Sequence, residues 1–348
     1  MATPAMDERA MTSALWEAAK AGNTAEASRL LDAGAPVNRK NHANNGVTAL
    51  IVAAEHGHKD TVELLLDRGA DLEATDDDGS TALVFAASGG HKDTVELLLD
   101  RGADLEATDD DGSTALVFAA SGGHKDTVEL MLDRGADLEA KDDDGSTALV
   151  FAASGGHKDT VELLLDRGAD LETKDEDGST ALVFAASGGH KDTVELLLDR
   201  GADLEAKARN EATALVRAAS GGHVDTVELL LDRGADLEAK DKIFGTALAE
   251  AASEGHRTTV ELLLDRGADL EAKSEHSHTA LAQAASEGHK AIVELLVHRG
   301  ADLEAKDEAS VAGLHWMRGG PRWASRLGRV LAMVMMRRGV VLLPKASV

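Results

Sequence analysis

Between Thr81 and Arg101 the chain carries two kinds of hydrophobic run. The first, Ala-Leu-Val-Phe-Ala-Ala over residues 82–87, is apolar throughout and stops short of Gly89-Gly90. The second, over residues 92–101, is apolar at Val95, Leu98 and Leu99, spaced i, i+3, i+4, with Leu97 beside them. Such spacing predicts a one-faced helix. Two short helices are expected, over Ala82–Ser88 and about Lys92–Arg101. Thr81 stands where an N-cap is wanted, because its hydroxyl can take an orphan amide of the first turn. Gly102 sits where a left-handed residue ends the second helix. Upstream, Asp76-Asp77-Asp78-Gly79 reads as a turn, with carboxylates early and glycine at the strained position. Helices this short do not hold alone, since nucleation outweighs propagation below ~12–15 residues. Each pair must bury its apolar face on neighbours.

The pattern repeats. Residues 76–108 recur almost unchanged at 109–141, 142–174 and 175–207, and with more drift at 208–240, 241–273 and 274–306. Seven units keep one 33-residue register without insertion. Self-similarity at that period marks a repeat array rather than a globule. Ahead of it, Ala14–Gly22 and Glu26–Leu31, ending in Gly34, read as a degenerate first unit with Glu17, Lys20 and Arg29 outward. The second unit comes after a slightly longer connection through Asn41–Gly46 and runs from Thr48 to Ala74. The expected organisation is a disordered leader over 1–10, an array of about nine repeats over 11–309, and a divergent end over 310–348.

The unit resembles the ankyrin repeat. The family pattern D-x-x-G-x-T-P-L-H-x-A-A-x-x-G-H, then V-x-x-L-L and G-A-D, is met by Asp76, Gly79, Thr81, Leu83, Ala86, Ala87, Gly90, His91, Val95, Leu98, Leu99, Gly102, Ala103 and Asp104. Ala82 replaces the family proline and Val84 its first histidine, and both departures recur. The resemblance covers about residues 11–306. It implies an all-α ankyrin-repeat solenoid of stacked helix-turn-helix units with projecting turn or hairpin fingers. It also implies a binding scaffold, with partners met at positions matching Asp77, Asp78, Ser80, Ser88 and Gly89.

Composition narrows the class. The 348 residues are 43% hydrophobic but only 2% aromatic, with no tyrosine, so the core is thin and closely packed. There is no cysteine, which excludes disulfides, thiolate zinc sites and a cysteine nucleophile. The longest late apolar run, Val330–Met336, is far short of the ~20 residues a membrane span needs. A soluble monomer in the cytoplasm is expected, with the nucleus as the alternative compartment.

Net charge is −27. Residues 310–348 hold seven basic side chains and no acid, which leaves the body at 29 basic against 63 acidic, or −34. Such a body repels nucleic-acid phosphates and anionic membranes and favours cationic partners. The same charge also serves to keep a long array soluble. Within the divergent end, Trp323, Leu327, Val330, Leu331 and Val334 share one helical face, with Arg322, Arg326 and Arg329 on another. Three readings stay open: a divergent cap on the last repeat, a basic helix (322–338) for an acidic membrane or calmodulin-like partner, or a sequence shifted out of frame.

Candidate chemistry is sparse. Eight histidines (His58, His91, His124, His157, His190, His223, His256, His289) occupy one slot, once per repeat. Catalysis needs a one-off constellation, so these are expected to bond backbone near the interhelix turn. Glu275-His276-Ser277-His278 at a loop tip offers at most a weak metal perch. The Asp76–Gly79 turn fails the calcium-loop pattern, which would place its first slot at Ala74 and its twelfth at Phe85. No enzyme, metal or cofactor is predicted.

One slot varies tellingly. It reads Val52, Phe85, Phe118, Phe151, Phe184, Arg217, Glu250, Gln283. A slot that takes Arg, Glu and Gln is not expected deep in a core, since unpaired burial of charge is costly. Phe85 shares a helix face with Ser88 and Gly89. The expectation is a row of half-exposed phenylalanines ~8–10 Å apart on the concave side. Acidic tips would flank it: Asp77, Asp78, Asp110, Asp111, Asp143, Asp144, Glu176 and Asp177. Arg217, Phe244 and Glu250 would add specificity in later units. The rings could equally pack between first helices. The preferred function is a non-catalytic scaffold or adaptor for a basic, apolar-anchored protein segment. The alternative is a regulatory or substrate-recruiting module of a separate enzyme, such as a kinase or ubiquitin-ligase subunit.

Overall fold

A computed structural model describes residues 8–242, 245–274 and 278–302. Eighteen helices are found there, in nine consecutive pairs. The chain divides into two compact units, 1–203 and 204–348. In the first lie α1 (Glu8–Lys20) and α2 (Thr24–Asp32), α3 (Ala49–Glu55) and α4 (Lys59–Asp67), then α5 (Ala82–Ser88) and α6 (Lys92–Asp100). It continues with α7 (Ala115–Ser121), α8 (Lys125–Asp133), α9 (Ala148–Ser154), α10 (Lys158–Asp166), α11 (Ala181–Ser187) and α12 (Lys191–Asp199). The second holds α13 (Ala214–Ser220), α14 (Val224–Asp232), α15 (Ala247–Ser253), α16 (Arg257–Asp265), α17 (Ala280–Glu287) and α18 (Lys290–Arg299). Within each unit first helices pack on first helices and second on second. The all-α solenoid expected from the repeats is the fold that forms. The first helix starts at Glu8, inside the stretch expected to be a leader, where Thr12 Oγ1 donates to the Glu8 carbonyl at 2.9 Å.

The local signals act as their chemistry requires. Thr81 is extended, and its Oγ1 accepts from Val84 N at 3.4 Å. At the end of α6, Gly102 N bonds Leu99 O and Ala103 N bonds Leu98 O, both at 3.0 Å, closing a Schellman turn with Gly102 at φ +92°. One expectation shifts. The buried residues of α6 are Thr94, Val95, Leu97 and Leu98, with Leu99 left half-buried. α6 packs on α5 and also on α4 and α8, so its buried stripe is wider than one i, i+3, i+4 row.

Successive repeats are tied by polar links that the period reproduces. Arg134 bridges Asp100 at 2.8 Å and Glu96 at 3.2 Å on the preceding second helix, and Arg101, Arg167 and Arg200 do likewise. Glu106 Oε1 accepts the Asp137 amide at 2.9 Å, as Glu73 does from Asp104 and Glu139 from Asp170. Much of the acidity is therefore structural. Each tie is partly exposed and worth little alone, but the array sums many of them.

Candidate protein-binding face

Alanines make the first helices thin. On α5, Ala82, Ala86 and Ala87 are fully buried with Leu83 and Val84, so neighbouring first helices approach closely. The one large side chain that does not sink is Phe85. Phe118, Phe151 and Phe184 repeat its half-buried position, with Ser88 and Gly89 exposed one turn on. Four rings thus stand in one row on α5, α7, α9 and α11.

The tips divide their carboxylates by role. Asp76 is buried, and its Oδ1 accepts from Asp78 N at 3.0 Å and Ser80 N at 2.9 Å. Asp109, Asp142 and Asp175 hold the matching serine amides in the same way. Burial pushes the Asp142 carboxyl above its ordinary value, with Asp143 and Asp144 adding to it. The second and third acids, Asp77, Asp78, Asp110, Asp111, Asp143, Asp144, Glu176 and Asp177, are exposed. Their backbones lock tip to tip: Asp110 N donates to Asp78 O at 3.0 Å, Asp143 N to Asp111 O at 3.0 Å and Glu176 N to Asp144 O at 2.8 Å. Ser80 is 8% exposed, so this position lies inside the turn rather than on the outer surface the resemblance implied.

At its two ends the variable slot departs from the expected exposure. Arg217 is half-buried, as expected. Glu250, however, is only 5% exposed, Gln283 6% and Val52 0%. The slot does accept a buried acid. Glu250 hydrogen-bonds Asp241 and Ser220, with the Arg217 charge nearby, and burial first, then Asp241, pushes its carboxyl up to about 8. It is carried as a neutral acid near pH 7, which removes the charge-burial penalty. Asp241 in turn accepts from Gly245 N at 2.7 Å. Glu250 therefore leaves the set of surface contacts. Phe244, and Glu275–Ser277 of the metal perch, lie outside the described residues.

Sequence reasoning does not single out Asp241. Its one signal is position: it is the turn acid of its repeat, nine residues before an acid in the slot that elsewhere holds phenylalanine.

The histidines do bond backbone, but across repeats. His124 Nε2 lies 2.8 Å from Ser88 O and His157 Nε2 2.8 Å from Ser121 O, each acceptor belonging to the preceding repeat. The imidazole lies against the glycine of that repeat: a Cβ on Gly123 would meet His157 Nδ1 at 2.4 Å. Among the described residues no group of three or more His, Asp or Glu is placed to hold a metal ion. Nor is any helix there long and apolar enough to cross a membrane.

Stacked helix pairs recurring at a fixed spacing define a helical repeat protein. The family of ankyrin repeats matches over 15–66 and 50–99 in one model (many copies) and over 83–175, 136–208, 170–241 and 215–307 in another (three copies). The chain belongs to the ankyrin-repeat family, whose repeats are generally protein–protein interaction modules and typically non-catalytic. No curated protein matches the chain.

Proposed function

We propose that this chain is a non-catalytic scaffold that holds a basic, apolar-anchored protein segment along the row of Phe85, Phe118, Phe151 and Phe184. The observation that carries this reading is the coincidence of four half-buried rings with exposed acid pairs at every neighbouring tip. Aromatic anchors inside a polar rim have the make-up of binding hot spots. Lysine or arginine of the partner meets the tips, and an apolar side chain meets each ring.

The test is Phe118→Ser alone and with Phe151→Ser. A half-buried ring outside the core should cost at most ~1 kcal/mol of stability. Screening an array of synthetic peptides should find Lys/Arg-rich binders with spaced apolar residues, lost in the double variant and weakened by salt. A stability loss of ~3 kcal/mol for Phe118→Ser would mark the ring as core and remove the reading.

A further inference from the structure

The fingers of the second unit reverse the charge of those in the first. Arg209 and Lys242 stand at the positions that Asp77, Asp110, Asp143 and Glu176 hold in earlier repeats. Lys207, Lys240 and Lys273 flank them, and all five residues are exposed. The other basic stretch of this unit, 322–338, lies outside the described residues. The fingers are bound to one another: Lys242 N donates to Asn210 O at 2.9 Å and Lys242 Nζ to Arg209 O at 3.2 Å. Lys240 Nζ donates to Lys273 O at 2.9 Å. Glu205 and Glu238, just ahead of these lysines, accept the backbone amides of Asp236 and Asp269 at 2.8 Å. One carboxylate does enter the cluster. Glu211 lies 3.3 Å from both Lys207 Nζ and Lys242 Nζ, and these lysines, Lys242 foremost, hold its carboxyl below the ordinary value. Its backbone is at φ +64°, in the slot where Gly79, Gly112, Gly145 and Gly178 stand, and glutamate adopts that conformation only at a cost. Backbone strain kept at a charged tip points to use rather than to packing.

We propose that the fingers around Arg209 and Lys242 dock an acidic segment of a partner protein, whose carboxylates meet Lys207, Arg209, Lys240 and Lys242. Glu211 shows the seat, since a carboxylate already lies there between two ammonium groups. Successive fingers are ~8–10 Å apart, like the helices they precede. An extended chain advances ~3.3 Å per residue, so acids three residues apart fall on successive fingers. Charge complementarity favours this occupant over nucleic acid. The cationic surface spans only the fingers at 207–211, 240–242 and 273, whereas the body of the chain carries −34. Such a body repels a polyanion that continues past the patch. A short acidic segment has no such continuation. The surface is opposite in sign to the acid-flanked phenylalanine row and does not depend on it.

The test variants are drawn from the array itself, which keeps them compatible with the fold. Arg209→Asp with Lys242→Asp restores the acids of the earlier tips, and Glu211→Gly restores their glycine. The probe is a fluorescein-labelled peptide, Glu-Ser-Ser-Glu-Ser-Ser-Glu, titrated with the full chain at about 20 mM salt, where charge is little screened. Anisotropy should show binding that the double variant weakens by about tenfold or more, because two attractions become repulsions. Glu211→Gly should tighten binding about threefold by releasing Lys207 and Lys242. No binding to the parent chain, or equal binding by the parent and the double variant, would overturn the proposal. So would an oligothymidine of equal charge that binds more tightly than the peptide, which would assign the fingers to phosphate. Self-association of the parent in sedimentation, abolished in the double variant, would assign them to the acidic tips of a second copy and overturn it likewise. None of these results bears on the phenylalanine row.

Discussion

Glu250→Gln tests how the second unit is held. In the folded chain the Glu250 proton is kept to about pH 8, against an ordinary value of 4.5. The folded form therefore holds a proton that the unfolded chain has released. Stability from this group is complete below the ordinary value and is lost as pH rises through about 8. Each pH unit between the two costs about 1.4 kcal/mol, so the whole window amounts to roughly 5 kcal/mol at most. Effective screening inside a folded protein is stronger than in a dry apolar medium, which lowers the expected loss to about 3 kcal/mol. Glutamine is close in size, has no proton to lose, and its amide can still donate to Asp241. The variant should nearly match the parent around pH 5 and exceed it by about 3 kcal/mol at pH 8.5. Urea unfolding followed by far-ultraviolet circular dichroism at half-unit pH steps reads this as a diverging pair of midpoints. Parallel profiles would show that Glu250 does not hold its proton, and a variant weaker at every pH would show that the acid contributes more than its neutral amide.

Three further substitutions probe the seams between repeats and their surroundings. Gly123 has φ +69° and no room for a Cβ beside His157, whereas Gly135 has φ +93° and nothing within 4 Å. Gly135→Ala should cost ~1 kcal/mol, the ordinary left-handed penalty, while Gly123→Ala should cost ~2–3 kcal/mol through strain and the displaced imidazole. Equal shifts in thermal melting would mean the imidazole moves aside freely. Arg134→Ala removes exposed bonds to Asp100 and Glu96 and should cost ~1 kcal/mol or less. That loss should shrink in molar salt, and a salt-independent loss would point to packing of the arginine stem instead.

Local order is legible in the sequence because its causes are local. The helix over 82–88, the turn at Asp76–Gly79 and the stop at Gly102 each depend on residues within a few positions of one another. The 33-residue period then forces stacking, since no pair can bury its face alone. A half-buried Phe85 is also readable, from the chemistry its slot tolerates elsewhere. That same reasoning fails at Glu250, because tolerance of an acid does not require exposure when a neutralised carboxyl satisfies a buried slot equally well.

The amino-acid order by itself determined the period, the helix limits and the class of fold. Tertiary structure decided which polar groups are spent holding repeats together. His124 reaches Ser88, Arg134 reaches Glu96 and Glu106 takes the Asp137 amide across separations of 31–38 residues. Such partners are strangers along the chain. They meet only when one helical pair has settled on the next, so the assignment of each carboxylate to structure or to solvent waits on the stack.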